Sequence, residues 1–264
     1  MTLVVKIGGA AGNDPRNLLA ELATGRDCVL VHGGSDEVDR LAARLGVPSR
    51  SFTSPSGVVS RHTDSAQLEV LVCALAGTLQ TRLVSGLNAL GARAVGLSGV
   101  DGSTLRARRK QGARAVVDGR VMRVADDWSG TLESVGSDLL RLLIGSGYLP
   151  VVGPPAITPE GEVVNVDADR AAAAIAVALG ARELVLLTNV PGLLRDPSDP
   201  TTRVAEVARG EIDAVLPYAQ GKMRKKVLAV QEALAGGVGC AVIAPSTPSG
   251  PIASALAGGG TTFR

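Results

Sequence analysis

Short apolar runs that end in glycine alternate along this chain with stretches of helical period. Leu3–Ile7 stops at Gly8-Gly9 and Cys28–His32 stops at Gly33-Gly34, so both read as buried strands entering tight turns. Ser35 is placed to cap a helix from Asp36 to Leu45, which Gly46 ends. Helical spacing predicts further helices at Asn17–Thr24, Ser65–Leu87, Leu132–Ile144, Ala168–Leu179 and Met223–Ala235. Strands are predicted at Ala94–Leu97, Leu149–Val152, Glu183–Leu187 and Cys240–Ile243. Ala115–Val117 and Val121–Val124, joined by Asp118-Gly119, read as a hairpin with a primed turn, and Ile157 with Val163-Val164 as a smaller one. The segments Pro48–Arg61 and Asn189–Thr202 read as loops. Alternation of this kind predicts an α/β fold: a three-layer α/β/α sandwich on an open, mostly parallel sheet, with ligands at the carboxyl ends of the strands.

Composition agrees with this and narrows the function. The 264 residues are 45% hydrophobic, with 33 glycines and only 2% aromatic residues, which suits helices layered on a parallel sheet and leaves little for stacking on bases. The net charge of +2 selects no partner globally. Cys28, Cys73 and Cys240 match neither a zinc spacing nor CxxC and read as buried free thiols of a reducing compartment. Met1-Thr2 leads straight into the first strand without a signal sequence, and the apolar helix near Ala171–Ala181 is too short to span a bilayer. A cytoplasmic protein without membrane or nucleic-acid partners is expected.

No GxxxxGK[ST], strand-bound GxGxxG, HExxH or HxxEH occurs, and there are only two histidines. P-loop enzymes, dinucleotide folds with the usual fingerprint and histidine-ligated metal hydrolases are thereby disfavoured. What stands out is the pair of Gly-Gly turns, whose backbone N–H groups can approach an anion closely. Lys6 interrupts an otherwise apolar strand and needs an anionic partner unless it reaches solvent at an edge. Asn165-Val166-Asp167-Ala168-Asp169 sits at a strand–helix junction. Its acids either cap the helix or hold lysines or magnesium at the same sheet end as the glycine turns. Gly221 through Lys226 opens a helix with four cations, an unfavourable placement at a helix N-terminus unless an anionic ligand is present or the face is simply solvated.

Taken in order, Lys6-Ile7-Gly8-Gly9, His32-Gly33-Gly34, Asn165 through Asp169, Thr188-Asn189-Val190-Pro191-Gly192 and Gly221 through Lys226 resemble the amino acid kinase family, and within it N-acetylglutamate kinases, over essentially the whole chain. The resemblance implies ATP and Mg2+ as cofactors and two lobes, residues 1–166 for the acceptor and dimerisation and 167–264 for ATP. It implies that Lys6 and Lys226 neutralise the phosphoryl group in flight and that Asp169 orients them. Gly8, Gly9, Gly33 and Gly34 would present N–H groups to the phosphates and the acceptor carboxylate, with Gly33 and Gly34 on the acceptor side. Arg61 and Asn165 would hold the amino-acid end of the acceptor, while Thr188, Asn189, Gly192, Gly221 and Met223 line the ATP site. No metal ligand from the protein is implied. The acceptor carboxylate is already ionised at neutral pH, so no general base is needed.

Acetylglutamate kinases usually continue His-Gly-Gly with Gly-Pro, whereas this chain reads Ser35-Asp36-Glu37. That segment, Gly57 through Asp64, Gly99 through Gly102 and Arg109-Lys110 resemble the LysZ-type kinases of lysine biosynthesis through aminoadipate. There the acceptor's amino group is joined to the C-terminal Glu of a small acidic carrier protein of the LysW type, which stays outside the pocket. Between Arg106 and Arg123 lie seven cations against one acid, Asp118. Such a patch steers an acidic protein, with Arg108, Arg109, Lys110 and Arg114 as the expected carrier contacts, or else is a solvated hairpin. Nucleic acid is disfavoured because no aromatic residue accompanies these cations. The extra N-terminal helix of arginine-inhibited hexameric relatives is missing, so a homodimer without arginine feedback is expected, with Ser65–Leu87 as the dimer element or an ordinary core helix. The open alternatives are an N-acetylglutamate kinase or carrier-linked glutamate kinase of arginine biosynthesis, and a non-catalytic nucleotide or amino-acid sensor, against which Lys6, Asp169 and Lys226 together argue. A uridylate kinase is disfavoured by the loop Ser60-Arg61-His62-Thr63-Asp64.

Overall fold

The apolar runs pair side by side. In the computed structural model, which describes residues 2–10, 12–54, 59–112, 114–117 and 120–264, eight strands form one sheet. Their order is Glu206–Val207, Thr261–Phe263, Cys240–Pro245, Glu183–Thr188, Leu3–Ile7, Cys28–His32, Leu149–Gly153 and Ala94–Ser98. Every pairing is parallel except Thr261–Phe263 against Cys240–Pro245. The strands are buried on both faces, and that burial is why they read as continuous apolar runs. Their alternate residues nevertheless serve different layers. Val4, Val29, Val31, Leu184, Leu186 and Ile243 pack with Ala172, Ile175, Val227 and Val230 of the helices Ala168–Leu179 and Gly221–Ala235. Leu3, Val5, Ile7, Leu30, Val185 and Leu187 pack with Leu18, Leu22, Leu83, Leu87 and Ile252 on the opposite side. This is the expected three-layer α/β/α arrangement. Lys6 is in phase with Val4 and so faces the Ala168–Leu179 helix, which decides its role.

Three smaller β-units accompany this sheet: Arg50–Thr53 with Val59–His62 and a four-stranded sheet ordered Val163–Val164, Ala156–Ile157, Leu105–Arg109, Gly130–Val135, both of which contribute to the cleft lining, and a separate ribbon of Arg114–Val117 with Arg120–Arg123. The basic hairpin is present as expected, although its turn residues 118–119 lie outside the described residues. Within the expected Pro48–Arg61 loop, Arg50–Thr53 instead pairs with Val59–His62 as a ribbon, and residues 55–58 lie outside the described residues. The expected Leu132–Ile144 helix divides into the Gly130–Val135 strand and an Asp138–Gly145 helix, because Gly136 donates its N–H to Thr104 and continues the sheet edge before the helix begins. Ser35 does not cap its helix. Gly34 holds the cap position and the Ser35 hydroxyl donates to the Gly9 carbonyl at 2.9 Å. Of the three free thiols only Cys28 is buried, and Cys73 is exposed.

The helical region Ser65–Ala89 spans 25 residues and is long and apolar enough to cross a membrane by length and composition. Here its apolar positions are used within the fold: Val70, Leu71, Ala74 and Leu75 pack on Val38 and Ala42, and Leu83 and Leu87 enter the second core layer. Between Cys73 and Leu79 the helix widens to a π-helical stretch. Beyond it, buried Gln80 donates to the Val151 carbonyl at 3.0 Å and lies 3.4 Å from His32 Nε2. Burial pushes the His32 imidazole down to about 4, so it is neutral at physiological pH next to the Gly33-Gly34 turn.

Candidate active site

Lys6, one residue before the end of its strand, lies against the first turn of the Ala168–Leu179 helix, whose start is set by Asp167. The Asp167 carboxylate accepts from the N–H groups of Asp169 and Arg170, so the acid read as a possible cap is Asp167. Asp169 is thereby free to turn inward. Its Oδ1 is 2.6 Å from Lys6 Nζ, and Lys226 Nζ lies 3.0 and 2.9 Å from its two oxygens. All three side chains are at most 10% exposed. Burial favours the neutral acid, but the charges of Lys6 and Lys226 outweigh it and hold the Asp169 carboxyl well below the usual carboxylate range. Burial, and then the charge of Lys6, push Lys226 down to about 8 against the pull of Asp169. Two cations share one anion, leaving an excess positive charge aimed at the cleft. A buried excess charge of this kind is stabilised when an anion completes it.

The two glycine turns meet backbone to backbone at the same place. A Cβ on Gly9 would lie 2.1 Å from the Gly34 nitrogen, so that position admits no side chain, whereas a Cβ on Gly34 would meet Leu75 Cδ2 at 2.3 Å and the leucine would have to shift. The four glycines are not equivalent as donors. Gly8 donates its N–H to Leu187 and Gly33 donates to Ile7, extending the sheet ladders. Gly9 and Gly34 have no acceptor for theirs among the described residues, and both line the cleft with Lys6. The N–H donors available to an anion are therefore those of Gly9 and Gly34, half of the expected set.

The cleft has a volume of about 630 Å³. Arg61 and Asn165 both line it, held by partners that sequence reasoning missed. Arg61 donates to Asp39 Oδ1 and Ser49 Oγ, both at 2.6 Å, and to the Ser35 carbonyl at 3.2 Å. Asn165 donates its amide to buried Thr63 at 3.0 Å. Asp39 follows Ser35 by one helical turn, which is the only sequence signal that it shares that face. Opposite these, Thr188, Asn189, Gly192 and Met223 line the cleft together with Val190, Leu193, Leu194, Pro197 and Tyr218. Gly192 has a φ of +141°, and a Cβ there would meet Thr261 Oγ1 at 2.6 Å. Gly221 is set back from the lining, between Gln220 and Lys222, which do reach it.

The four expected surface contacts separate. Arg108 is exposed and paired with Glu133 at 3.0 Å. Arg109 stacks its guanidinium 3.5 Å over the Trp128 ring and donates to the Asp127 carbonyl at 3.0 Å, a structural placement. Lys110 lines the cleft itself. Arg114 lies on the basic hairpin, whose other strand exposes Arg120 and Arg123 beside Val121 and Met122.

Among the described residues no group of three histidines, cysteines or acids is placed to hold a metal. Both oxygens of Asp169 are taken by lysines, and Asp167 is occupied by the helix N-terminus and by Lys225 at 3.8 Å. The side chains therefore do not form a magnesium site of their own, and of the two roles read for Asp169, holding lysines is the one its contacts carry out.

The amino acid kinase family model matches residues 1–244. A [LysW]-aminoadipate kinase from Deinococcus radiodurans is 46% identical over 98% of this chain and 90% of its own length. An acetylglutamate kinase from Rubrobacter xylanophilus is 42% identical over all of this chain and 97% of its own. Among solved structures, N-acetylglutamate synthase from Neisseria gonorrhoeae, complexed with coenzyme A and N-acetyl-glutamate, superposes with a TM-score of 0.78 at 27% identity. The match covers 99% of this chain, which spans 59% of the synthase.

Proposed function

Because the chain belongs to the amino acid kinase family, we propose that it phosphorylates the side-chain carboxylate of L-2-aminoadipate whose amino group is joined to a small acidic carrier protein of the LysW type. A carboxylate oxygen attacks the γ-phosphorus of ATP, the bond to the β,γ-bridging oxygen breaks, and ADP leaves with that electron pair. The products are an acyl phosphate and ADP, and no proton moves. The observation that carries this reading is the buried pair Lys6 and Lys226 on one Asp169, since phosphoryl transfer needs fixed positive charge more than covalent help. Lys226 and Lys6 neutralise the equatorial oxygens. The Gly9 and Gly34 N–H groups hold the transferring group and the acceptor carboxylate in line, Arg61 and Asn165 hold the acceptor's amino-acid end, and the Thr188–Gly192 side of the cleft with Met223 holds the nucleotide. Magnesium would be held by the phosphates of the nucleotide rather than by acids of this chain, and would supply further positive charge to the transferring group.

In this reading residues 1–166 carry the acceptor and the dimer contact and 167–264 carry ATP, although one sheet runs through both. The enzyme works as a cytoplasmic homodimer. The exposed cations Arg108, Arg120 and Arg123 support the carrier over a free N-acetyl acceptor, because they lie outside the cleft where a small acceptor has no use for them. The test is ADP release with carrier-linked aminoadipate, carrier-linked glutamate and N-acetylglutamate as acceptors. Carrier-linked aminoadipate is expected to give the highest kcat/KM; efficient turnover of N-acetylglutamate alone returns the chain to arginine synthesis. Reversing Arg108, Arg120 and Arg123 to glutamate together is expected to raise KM for the carrier-linked acceptor by roughly tenfold at low salt and to leave KM for ATP in place. An unchanged acceptor KM would remove the patch from carrier recognition.

The Lys226 ammonium sets a pH dependence. Its charge is lost as pH rises through about 8 in the free enzyme, so kcat/KM for ATP is expected to fall above that pH. Bound phosphates favour the ammonium, so the descending limb of kcat lies at higher pH. Coincident limbs in the two profiles would show that another group governs them.

A further inference from the structure

Lys110 is a cation of the cleft lining that the phosphoryl-transfer machinery leaves unused. Lys110 follows the Leu105–Arg109 strand, and its N–H donates to the Ser129 carbonyl at 2.8 Å. Ser129 in turn bridges to Asn165, and Gly130 donates to the Asn165 carbonyl at 2.7 Å. Lys110, Ser129 and Asn165 thus form one row across neighbouring strands, and all three line the cleft. The Lys110 ammonium has no hydrogen bond or ion pair among the described residues, whereas its cationic neighbours are engaged: Arg170 with Glu232, and Lys225 with Asp167. Asp127, the nearest acid by its effect on Lys110, accepts through Oδ1 from the N–H and hydroxyl of Ser129, while its buried Oδ2 has no partner and it makes no ion pair among the described residues. Desolvation in the cleft lowers the Lys110 pKa, and the charges of Lys225 and Arg170 lower it further against Asp127, although much of the side chain stays accessible. An unpaired, partly desolvated ammonium beside the residue that holds the acceptor's amino-acid end is placed to receive a ligand anion.

We propose that Lys110 is a specificity-determining residue whose ammonium binds a carboxylate on the acyl group that covers the acceptor's amino end, so that anionic N-acyl acceptors are selected over N-acetyl ones. This rests on the carrier-linked reading above and gives it a chemical basis inside the cleft. A glutamate joined to the acceptor through one of its carboxyl groups keeps the other, and an acetyl group brings none. The remote patch then steers the carrier, while Lys110 reads the charge at its point of attachment.

The experiment uses the whole enzyme and two small acceptors: aminoadipate N-acylated by a single glutamyl group through its side-chain carboxyl, and the same molecule with the remaining glutamyl carboxylate converted to a carboxamide. The native enzyme is expected to prefer the carboxylate form by about tenfold or more in kcat/KM at low salt. Lys110→Gln is expected to abolish that preference and Lys110→Arg to keep most of it. A ratio unchanged by Lys110→Gln, an equal loss with both acceptors, or an effect confined to KM for ATP would overturn the assignment. A native enzyme that prefers N-acetylglutamate to the carrier-linked acceptor overturns the parent reading. A carrier preference with an unchanged carboxylate-to-carboxamide ratio in Lys110→Gln overturns the role of Lys110 alone.

Discussion

Lys226→Ala is expected to lower kcat by about 10²–10³-fold, the size of effect seen when one preorganised charge or donor is removed from a transition state. Lys226 stands in the second turn of the Gly221–Ala235 helix, and its ammonium is fixed by two contacts to Asp169. Its orientation is therefore set before ATP binds. KM for ATP should change less than kcat, because the remaining cations of the cleft hold the nucleotide while the missing charge is needed most as the phosphoryl group transfers. Lys226→Arg is expected to recover little, since a planar guanidinium needs more room than a site 9% exposed provides. The Lys6–Asp169 pair survives the alanine change, so the thermal transition should remain cooperative. Turnover within about twofold of the native enzyme would sink the role assigned here.

Asp169→Asn is expected to damage stability and catalysis together. The substitution is nearly isosteric but leaves two buried ammonium groups facing a neutral amide. Removing one partner from a buried ionic cluster costs about 3–5 kcal/mol, because the charges left behind are uncompensated. The lysines respond by losing protons or by turning towards solvent, and either response removes the fixed positive charge. The diagnostic is how far ATP restores the variant. Phosphate oxygens supply the missing anion, so saturating nucleotide should raise the melting temperature more in Asp169→Asn than in the native protein. An equal nucleotide-induced shift in the two proteins would mean that Asp169 does not act by balancing Lys6 and Lys226.

Much of this site was legible from local pattern. A lysine breaking an apolar strand, glycine pairs at strand ends and an acid in the first turn of an apolar helix each mark a physical exception. The exceptions recur at the same end of successive βα units. What local pattern could not provide was the destination of each polar group. Gly8 and Gly9 look alike in sequence, yet one N–H is spent in the ladder to Leu187 and the other is left to the cleft. Arg109 and Lys110 are adjacent cations, but one stacks on Trp128 and the other enters the cleft. The Leu105–Arg109 strand went unread because its alternation is carried by buried Leu105 and Ala107 between arginines, a pattern a solvated loop also permits. Leu132–Ile144 misled because its apolar spacing continues across a strand and a helix.

Side-chain alternation and turn chemistry, encoded over a few neighbouring positions, were enough to fix the layers of this protein and to mark Lys6, Asp169 and the glycine pairs as exceptions to them. Tertiary structure alone decided that Lys6, Asp169 and Lys226 meet, that Asp39 and Ser49 fix Arg61, and that Lys110 faces the cleft. Asp169 and Lys226 are 57 residues apart, and only the packing of two helices over one face of the sheet brings their charges within 3.0 Å.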